Sequence, residues 1–126
     1  MFFGSDNWAG VAPEIMSAIE AANSGPAPAY GDDELTQNVC RKIAEVFETD
    51  CEVFFVATGG AANCLALATV TPPYGMIVCH DGSHVQTDEC GGPEFFSGGA
   101  KLLTVPGENG KLTPDAMARA LDQLPN

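Results

Sequence analysis

The stretch Val53-Phe54-Phe55-Val56-Ala57-Thr58-Gly59-Gly60-Ala61-Ala62-Asn63 decides the fold, because its chemical character changes in the middle. Residues 53–57 are apolar and several are β-branched or aromatic, which predicts a buried strand. Residues 61–70 are mostly small and apolar, which predicts a helix. The Thr-Gly-Gly segment between them predicts a strand that passes directly into a helix, with glycines that permit positive φ.

Gly59 and Gly60 also predict a site for an anion. Without a Cβ, their backbone N–H groups can approach a ligand closely, and the helix that follows adds the positive end of its dipole. We interpret the corner from Thr58 to Ala61 as a phosphate site that needs no basic side chain. The P-loop and the dinucleotide fingerprint both fit badly, because the loop continues with Ala-Ala-Asn and has only two glycines. The alternative is a turn whose glycines only let strand and helix pack closely.

The charge of the chain limits its partners. Lys and Arg number 5 against 17 Asp and Glu, so the formal net charge is -12 at pH 7. Such a chain repels a polyanion, and we expect no nucleic-acid partner. A small phosphate held by backbone donors stays compatible with this charge, because those donors act locally.

The composition predicts a folded domain without a membrane span. Hydrophobic residues make up 45% and charged residues 17% of the chain, as in globular proteins. No run approaches the roughly 20 apolar residues of a membrane span, and no basic and apolar leader precedes Gly4. We expect a cytoplasmic protein. The five cysteines include no C-x-x-C pair, so we expect small buried thiols and no metal site.

Elsewhere the pattern alternates between helices and strands, which predicts an α/β fold with a mostly parallel sheet and helices on its faces. Before the glycine corner, the predicted elements are an extended arm over 1–10, a helix from Pro13 to Ala22, a loop over 26–33 and a helix over 35–47 capped by Asp33. After it we predict strands over 76–79 and 101–105, and between them a brief helix that is capped by Ser83 and reaches Glu89. A last helix after Thr113 is predicted to turn Met117, Ala120, Leu121 and Leu124 inward.

His84 is the sharpest candidate for chemistry, because it follows a predicted strand end, where the sites of α/β proteins collect. An imidazole can stack on an aromatic ring or move a proton near neutral pH. Asp88 or Glu89 could polarise it or bind a cofactor ring, and we expect only one of them to face the site, since adjacent side chains diverge. The alternative for His84 is an ordinary surface histidine. We expect His80 to lie in the turn after the strand.

Four segments occur in the order and spacing of a known family. They are Ser5-Asp6, Ala29-Tyr30-Gly31-Asp32-Asp33, Thr58-Gly59-Gly60-Ala61-Ala62-Asn63 and Ser83-His84-Val85-Gln86-Thr87-Asp88-Glu89-Cys90-Gly91-Gly92. With these segments the chain resembles the low-specificity L-threonine aldolases over nearly its whole length. The T-D-E-C-G and P-E-F-F-S segments place the resemblance closest to the bacterial branch.

The resemblance implies the aspartate aminotransferase fold and the cofactor pyridoxal 5′-phosphate. It implies a carbon–carbon lyase that cleaves β-hydroxy-α-amino acids such as threonine, allo-threonine or phenylserine to glycine and an aldehyde, and that assembles as a homodimer or homotetramer. The chain would then comprise an N-terminal arm with the first helix over 1–25 and an incomplete, truncated part of the cofactor-binding large domain over 26–126.

The resemblance also implies roles for particular residues. His84 would stack over the pyridine ring and is the candidate to take the proton of the β-hydroxyl group, and Asp88 would belong to the cofactor site. Ser5 would bind the substrate carboxylate, and Tyr30 would lie near the active site at a subunit boundary. The cofactor phosphate would be held by Thr58, Gly59, Gly60 and Ala61.

One departure from the family dominates. The family's Schiff-base lysine, and the aspartate and arginine that hold the pyridine nitrogen and the substrate carboxylate, come after the point where this chain stops at Leu124-Pro125-Asn126. We therefore expect an N-terminal fragment that is inactive by itself, because it lacks the covalent anchor. The alternatives are a fragment of another fold-type I β-eliminating lyase and a small, non-catalytic assembly module, which would expose no sheet edge.

Overall fold

The computed structural model describes residues 4–5 and 8–124 of the chain. Two compact units divide it, Met1–Val53 and Phe54–Asn126. The predicted domain boundary after residue 25 stays a prediction. The predicted arm over 1–10 lies only partly within the described residues, and Asp6 and the chain end at 125–126 lie outside them.

The first unit contains two helices, α1 (Pro13–Ala22) and α2 (Glu34–Phe47). Both confirm their predictions, since α1 starts with its proline in the first turn and α2 is capped by Asp33, whose carboxylate accepts the Thr36 N–H at 2.8 Å and the Thr36 hydroxyl at 2.6 Å. These bonds to Thr36 lower the pKa of Asp33. The large apolar side chains of α1 remain about half exposed, at 56% for Ile15, 50% for Met16 and 54% for Ile19.

The second unit is built on a two-stranded parallel sheet. Strands β1 (Met76–His80) and β2 (Lys101–Val105) pair in register from Met76 opposite Lys101 to His80 opposite Val105. Ile77, Cys79 and Val105 are buried and form much of its core. The predicted strands and their parallel arrangement are confirmed, with β1 one residue longer than expected.

Four helices of the described residues accompany this sheet, and two of them lie in the connection between its strands. They are α3 (Gly59–Val70), α4 (His84–Thr87), α5 (Gly92–Phe96) and α6 (Pro114–Asp122), with a 3₁₀ turn at Glu108–Gly110. Helix α5 packs on α3 where Pro93 and Cys64 are buried. The approach is so close that a Cβ added to Gly92 would lie 2.7 Å from Cys64 Sγ. No helix in the described ranges is long and apolar enough to cross a membrane.

The predicted strand over 53–57 is wrong. Residues 51–56 form neither helix nor strand, and Phe54 and Phe55 are 77% and 61% exposed. A strand requires a neighbour that satisfies its backbone and a layer that covers its side chains. The sheet of the described residues contains only β1 and β2, so this apolar segment has neither.

Four smaller predictions also require correction. His80 ends β1 instead of lying in a turn, because it pairs with Val105 of β2 in the parallel ladder. Helix α4 ends at Thr87, and Ser83 at its N-cap makes no side-chain cap bond. Helix α5 was not predicted, since its glycines and proline indicate a turn. Leu121, expected to point inward from α6, is 47% exposed.

The cysteines confirm the thiol prediction only in part. All five are free, as expected. Cys64 and Cys79 are buried, but Cys51 and Cys90 are exposed and Cys40 is half-buried. Burial follows the packing of α3 and β1, which spacing along the chain does not reveal.

Candidate functional site

The N-terminus of α3 presents unpaired backbone donors. Thr58 caps the helix, and its hydroxyl accepts the Ala61 N–H at 3.1 Å while its carbonyl accepts the Ala62 N–H at 3.2 Å. Within the described part of the chain, the N–H groups of Gly59 and Gly60 have no acceptor. This is the donor arrangement that binds anions at helix N-termini.

The two glycines form part of the helix itself. Both lie in the first turn of α3, and neither uses the positive φ that a glycine permits. A Cβ added to Gly59 would meet nothing within 4 Å, and one added to Gly60 would come 3.9 Å from the Glu89 side chain. A methyl group at Gly59 would therefore meet open space, and one at Gly60 would only touch the Glu89 side chain.

A cavity of about 440 Å³ lies beside this helix end. It brings together most of the cofactor-binding residues predicted in the second unit. It also includes Glu89, which the sequence analysis offered as an alternative to Asp88. Its lining includes Thr58, Gly60, Ala61, His84, Asp88 and Glu89. Residues from two helices and the turn after α4 thus converge on one space, as the motif order suggested.

His84 is the first residue of α4, four residues beyond the end of β1. Its side chain is 66% exposed, and Nδ1 lies 2.9 Å from Glu89 Oε1. The ring is thus held at one nitrogen while most of the side chain stays exposed. Such a histidine can stack on a planar ligand or exchange a proton with it.

Glu89 is the buried member of this pair, with its side chain only 2% exposed. Its Oε1 also accepts a 2.7 Å hydrogen bond from Asn63 Nδ2, and Cys64 Sγ lies 3.9 Å from Oε2. The Asn63 bond is the largest cause that lowers the pKa of Glu89; the His84 contact lowers it further, and burial opposes both. Glu89 is therefore an ionised acceptor at neutral pH.

Cys64 completes the environment of that carboxylate. Burial is the main cause that raises the pKa of the Cys64 thiol, and the negative charge of Glu89 raises it further. The thiol stays protonated and acts as a weak donor to Glu89, not as a nucleophile.

Asp88 differs from Glu89 in its hydrogen-bond partner. It also lines the cavity, but it is exposed and its Oδ2 accepts the Thr87 hydroxyl at 2.6 Å. Both acidic side chains thus border the site, and Glu89 alone contacts the imidazole. The sequence did not predict which of the two would contact His84. It also gave no role to Asn63, which could have been suspected only from its place on α3, one turn after the glycine pair.

Ser5 and Tyr30 belong to the first unit, and their predicted roles in substrate binding stay predictions. Ser5 is half-buried and its carbonyl accepts the Trp8 N–H at 3.3 Å. Tyr30 is fully exposed and has a left-handed φ of 63°. Among the described residues, no group of three or more His, Cys, Asp or Glu is placed to hold a metal ion.

The fold and the cavity together define a class of α/β protein that combines an anion-binding helix N-terminus with an anchored imidazole. Comparison with known proteins makes the class specific. The sequence model of the beta-eliminating lyase family matches residues 3–126, and the chain belongs to that family. The resemblance seen in the sequence motifs and the predicted fold class are both confirmed.

Its relatives carry a narrower name. The low-specificity L-threonine aldolase of a Pseudomonas species is 53% identical over 112 residues, which are 89% of this chain and 32% of the relative. The Pseudomonas aeruginosa protein of the same name is 52% identical over 112 residues, with the same coverage. The solved structure of a Leishmania major threonine aldolase superposes with a TM-score of 0.82 and 27% identity, covering 94% of this chain and 34% of that one. The chain spans about a third of the length of these proteins.

Proposed function

We propose that the chain forms part of a pyridoxal 5′-phosphate-dependent L-threonine aldolase, a lyase that cleaves β-hydroxy-α-amino acids to glycine and an aldehyde. The observation that carries this proposal is the cavity that Gly60, at the N-terminus of α3, shares with His84. The 53% identity to a protein with that name supports it over 112 residues.

The residues present fit the phosphate of this cofactor. The N–H groups of Gly59 and Gly60 have no acceptor within the described residues, and they would donate to its oxygens. The helix dipole adds favourable potential in a chain whose net charge is -12. The Thr58 hydroxyl accepts the Ala61 N–H in the helix cap, and it can still donate its own hydrogen to a phosphate oxygen. When bound, the cofactor supplies a ring that withdraws the electron pair of the breaking Cα–Cβ bond.

His84 would contribute its ring face and one nitrogen. Its exposed imidazole can cover the pyridine ring, and the nitrogen not held by Glu89 can take the proton of the β-hydroxyl group. Asp88 borders the same space and is our second proposed cofactor contact. We assign Ser5 to the substrate carboxylate and Tyr30 to the subunit boundary. The left-handed φ of Tyr30 supports a functional place for it, because a bulky residue adopts that conformation at a cost.

A chimaera tests the reaction in a complete enzyme. The matching segment of the Pseudomonas relative is replaced by residues 1–126 of this chain, and the product is incubated with L-threonine and pyridoxal 5′-phosphate. We expect glycine and acetaldehyde in equal amounts, at a rate within about tenfold of the unaltered relative, which corresponds to about 1.4 kcal/mol. Absence of both products from a folded, cofactor-loaded chimaera would contradict the proposal.

β-Elimination is the second candidate, because the matching family is described as beta-eliminating lyases. A β-eliminating enzyme would share the phosphate corner and the stacking histidine. The same incubation distinguishes the two, since elimination of an amino acid releases ammonia and a keto acid in place of glycine and an aldehyde.

We also propose a cytoplasmic homodimer or homotetramer with a small amino-acid substrate. Large apolar side chains on the surface support assembly, among them Val46, Phe47, Phe54 and Phe55. Sedimentation of the chimaera would show a dimer or tetramer, and a monomer at micromolar concentration would contradict the assembly.

A further inference from the structure

The contact between His84 and Glu89 fixes where the imidazole proton lies. An ionised carboxylate is only an acceptor, so the hydrogen in the 2.9 Å contact between Nδ1 and Oε1 belongs to Nδ1. In a neutral imidazole the other nitrogen, Nε2, then carries a lone pair. The geometry therefore selects one of the two tautomers.

Glu89 is itself held from several sides. Asn63 of α3 donates to the same oxygen at 2.7 Å, and the Glu89 carbonyl accepts the Gly92 N–H at 2.8 Å. The turn between these points runs through Cys90 and Gly91, both left-handed with φ of 50° and 73°. A non-glycine residue in this conformation costs free energy, so the turn persists only because its surroundings enforce it. The carboxylate is thus fixed before any ligand arrives.

We propose that Glu89 is a positioning residue that holds His84 with its proton on Nδ1 and thereby makes Nε2 the basic atom of the site. The inference rests on the proposed function for the identity of the proton donor. The O–H bond of the substrate's β-hydroxyl group breaks, its electron pair stays on oxygen, and the proton forms an N–H bond at Nε2. The carboxylate of Glu89 then faces the positively charged ring.

His80 provides an internal standard, because it is the only other histidine of the chain. Its Nδ1 accepts the Gly82 N–H at 2.9 Å, so its own proton lies on Nε2, which is 2.9 Å from Gly107 O. Asp81 lies 3.2 Å from the same Nδ1 and pairs with it only when the ring is protonated. The two histidines are therefore expected to show opposite tautomers.

Nuclear magnetic resonance of the chain with ¹⁵N-labelled histidine tests the assignment. Spectra that correlate ring nitrogens with ring carbon-bound protons distinguish a protonated from a bare nitrogen. At about pH 8.5, some two units above the ordinary histidine pKa of about 6.5, we expect a bare Nε2 for His84 and a bare Nδ1 for His80. A proton on Nε2 of His84, or the tautomer mixture of free histidine, would overturn the proposal.

Two variants test the role of the carboxylate. Glu89→Met removes the acceptor, and we expect the single Nδ1–H tautomer of His84 to be replaced by the mixture of free histidine. Glu94→Met is the matched control, because Glu94 Oε2 has no hydrogen-bond partner, and we expect the tautomer of His84 to stay unchanged. Retention of the Nδ1–H tautomer in a folded E89M chain would refute the positioning role.

The result separates the two proposals. Amide spectra show whether each variant is folded. If the E89M chain does not fold, the tautomer of His84 in the unvaried chain still tests the proposal. A proton on Nδ1 together with a chimaera that does not cleave threonine would contradict the aldolase function and leave the positioning role intact. The opposite combination would contradict the positioning role alone.

Discussion

His84 Nδ1 lies 2.9 Å from Glu89 Oε1, although the histidine side chain is 66% exposed and the glutamate side chain only 2% exposed. A fixed, buried carboxylate thus anchors an exposed ring by one edge. Most of the imidazole stays exposed, and it lines the same cavity as Gly60 at the N-terminus of α3.

Replacing His84 in the chimaera separates stacking from proton transfer. His84→Phe keeps an aromatic ring and removes the base, so we expect kcat for threonine to fall by about 10²–10⁴-fold. We expect the variant to retain bound pyridoxal 5′-phosphate, as measured by the absorbance of the cofactor. A kcat within threefold of the unvaried chimaera would exclude His84 as the base.

Gly59 allows one backbone donor to be deleted without breaking the helix. It is the first residue of α3, where proline is well tolerated, and Thr58 before it is already extended, with φ of -143° and ψ of 156°. Gly59→Pro removes one N–H, and we expect the Kd for pyridoxal 5′-phosphate in the chimaera to rise by about 10–100-fold, equivalent to about 1.5–3 kcal/mol.

Gly59→Ala is the matched control for that deletion. It keeps the N–H, and the added Cβ meets nothing within 4 Å. We expect a Kd close to that of the unvaried chimaera, measured by equilibrium dialysis. Equal affinities for the proline and alanine variants would mean that the Gly59 amide does not bind the phosphate.

The α3–α5 contact should be sensitive to a single methyl group. A Cβ at residue 92 would lie 2.7 Å from Cys64 Sγ, so we expect Gly92→Ala to lower the free energy of unfolding by about 1–3 kcal/mol. Combining it with Cys64→Ala makes room for the methyl group, and the two losses should sum to more than the double variant shows. Urea titrations of the four chains measure this, and simple additivity would contradict the close packing.

Glu89 predicts a pH dependence of stability. Because its pKa is lower in the folded chain than in the unfolded chain, its ionised form stabilises the fold above the ordinary glutamate pKa of about 4.3, and this stability is lost as the pH falls through the lowered value. Asn63→Ala removes the largest cause of the shift, so the difference in urea midpoint between pH 7 and pH 3 should shrink. An unchanged difference would contradict the role of Asn63.

The cap of α6 offers a test of stability away from the cavity. Thr113 accepts the Ala116 N–H at 3.2 Å, and we expect Thr113→Ala to cost about 1 kcal/mol. Thr113→Ser keeps the hydroxyl acceptor and should lower the stability by only a few tenths of a kcal/mol. Thermal unfolding followed by circular dichroism compares the two, and equal losses would mean that the cap bond contributes little.

Local patterns predicted those elements whose stabilising contacts are close in sequence. Helices α1, α2 and α6 begin at capping or proline signals, and β2 has the bounds expected from its apolar run. The segment over 51–56 did not form the expected strand, because pairing depends on a neighbour far along the chain. Helix α5 was missed for a related reason, since tertiary packing on α3 outweighs the turn signals of its sequence.

The sequence by itself determined the family and the parallel α/β class, and it predicted a helix over 61–70 and a functional role for His84, because each rests on an ordered motif or a local period. Only the tertiary structure decided that Glu89 contacts the imidazole, that Asn63 joins it, and that the glycines are helical instead of left-handed. The physical reason is that side-chain partners 26 residues apart, such as Asn63 and Glu89, are set by how α3 lies against the turn after α4. No local pattern in the sequence predicts that contact.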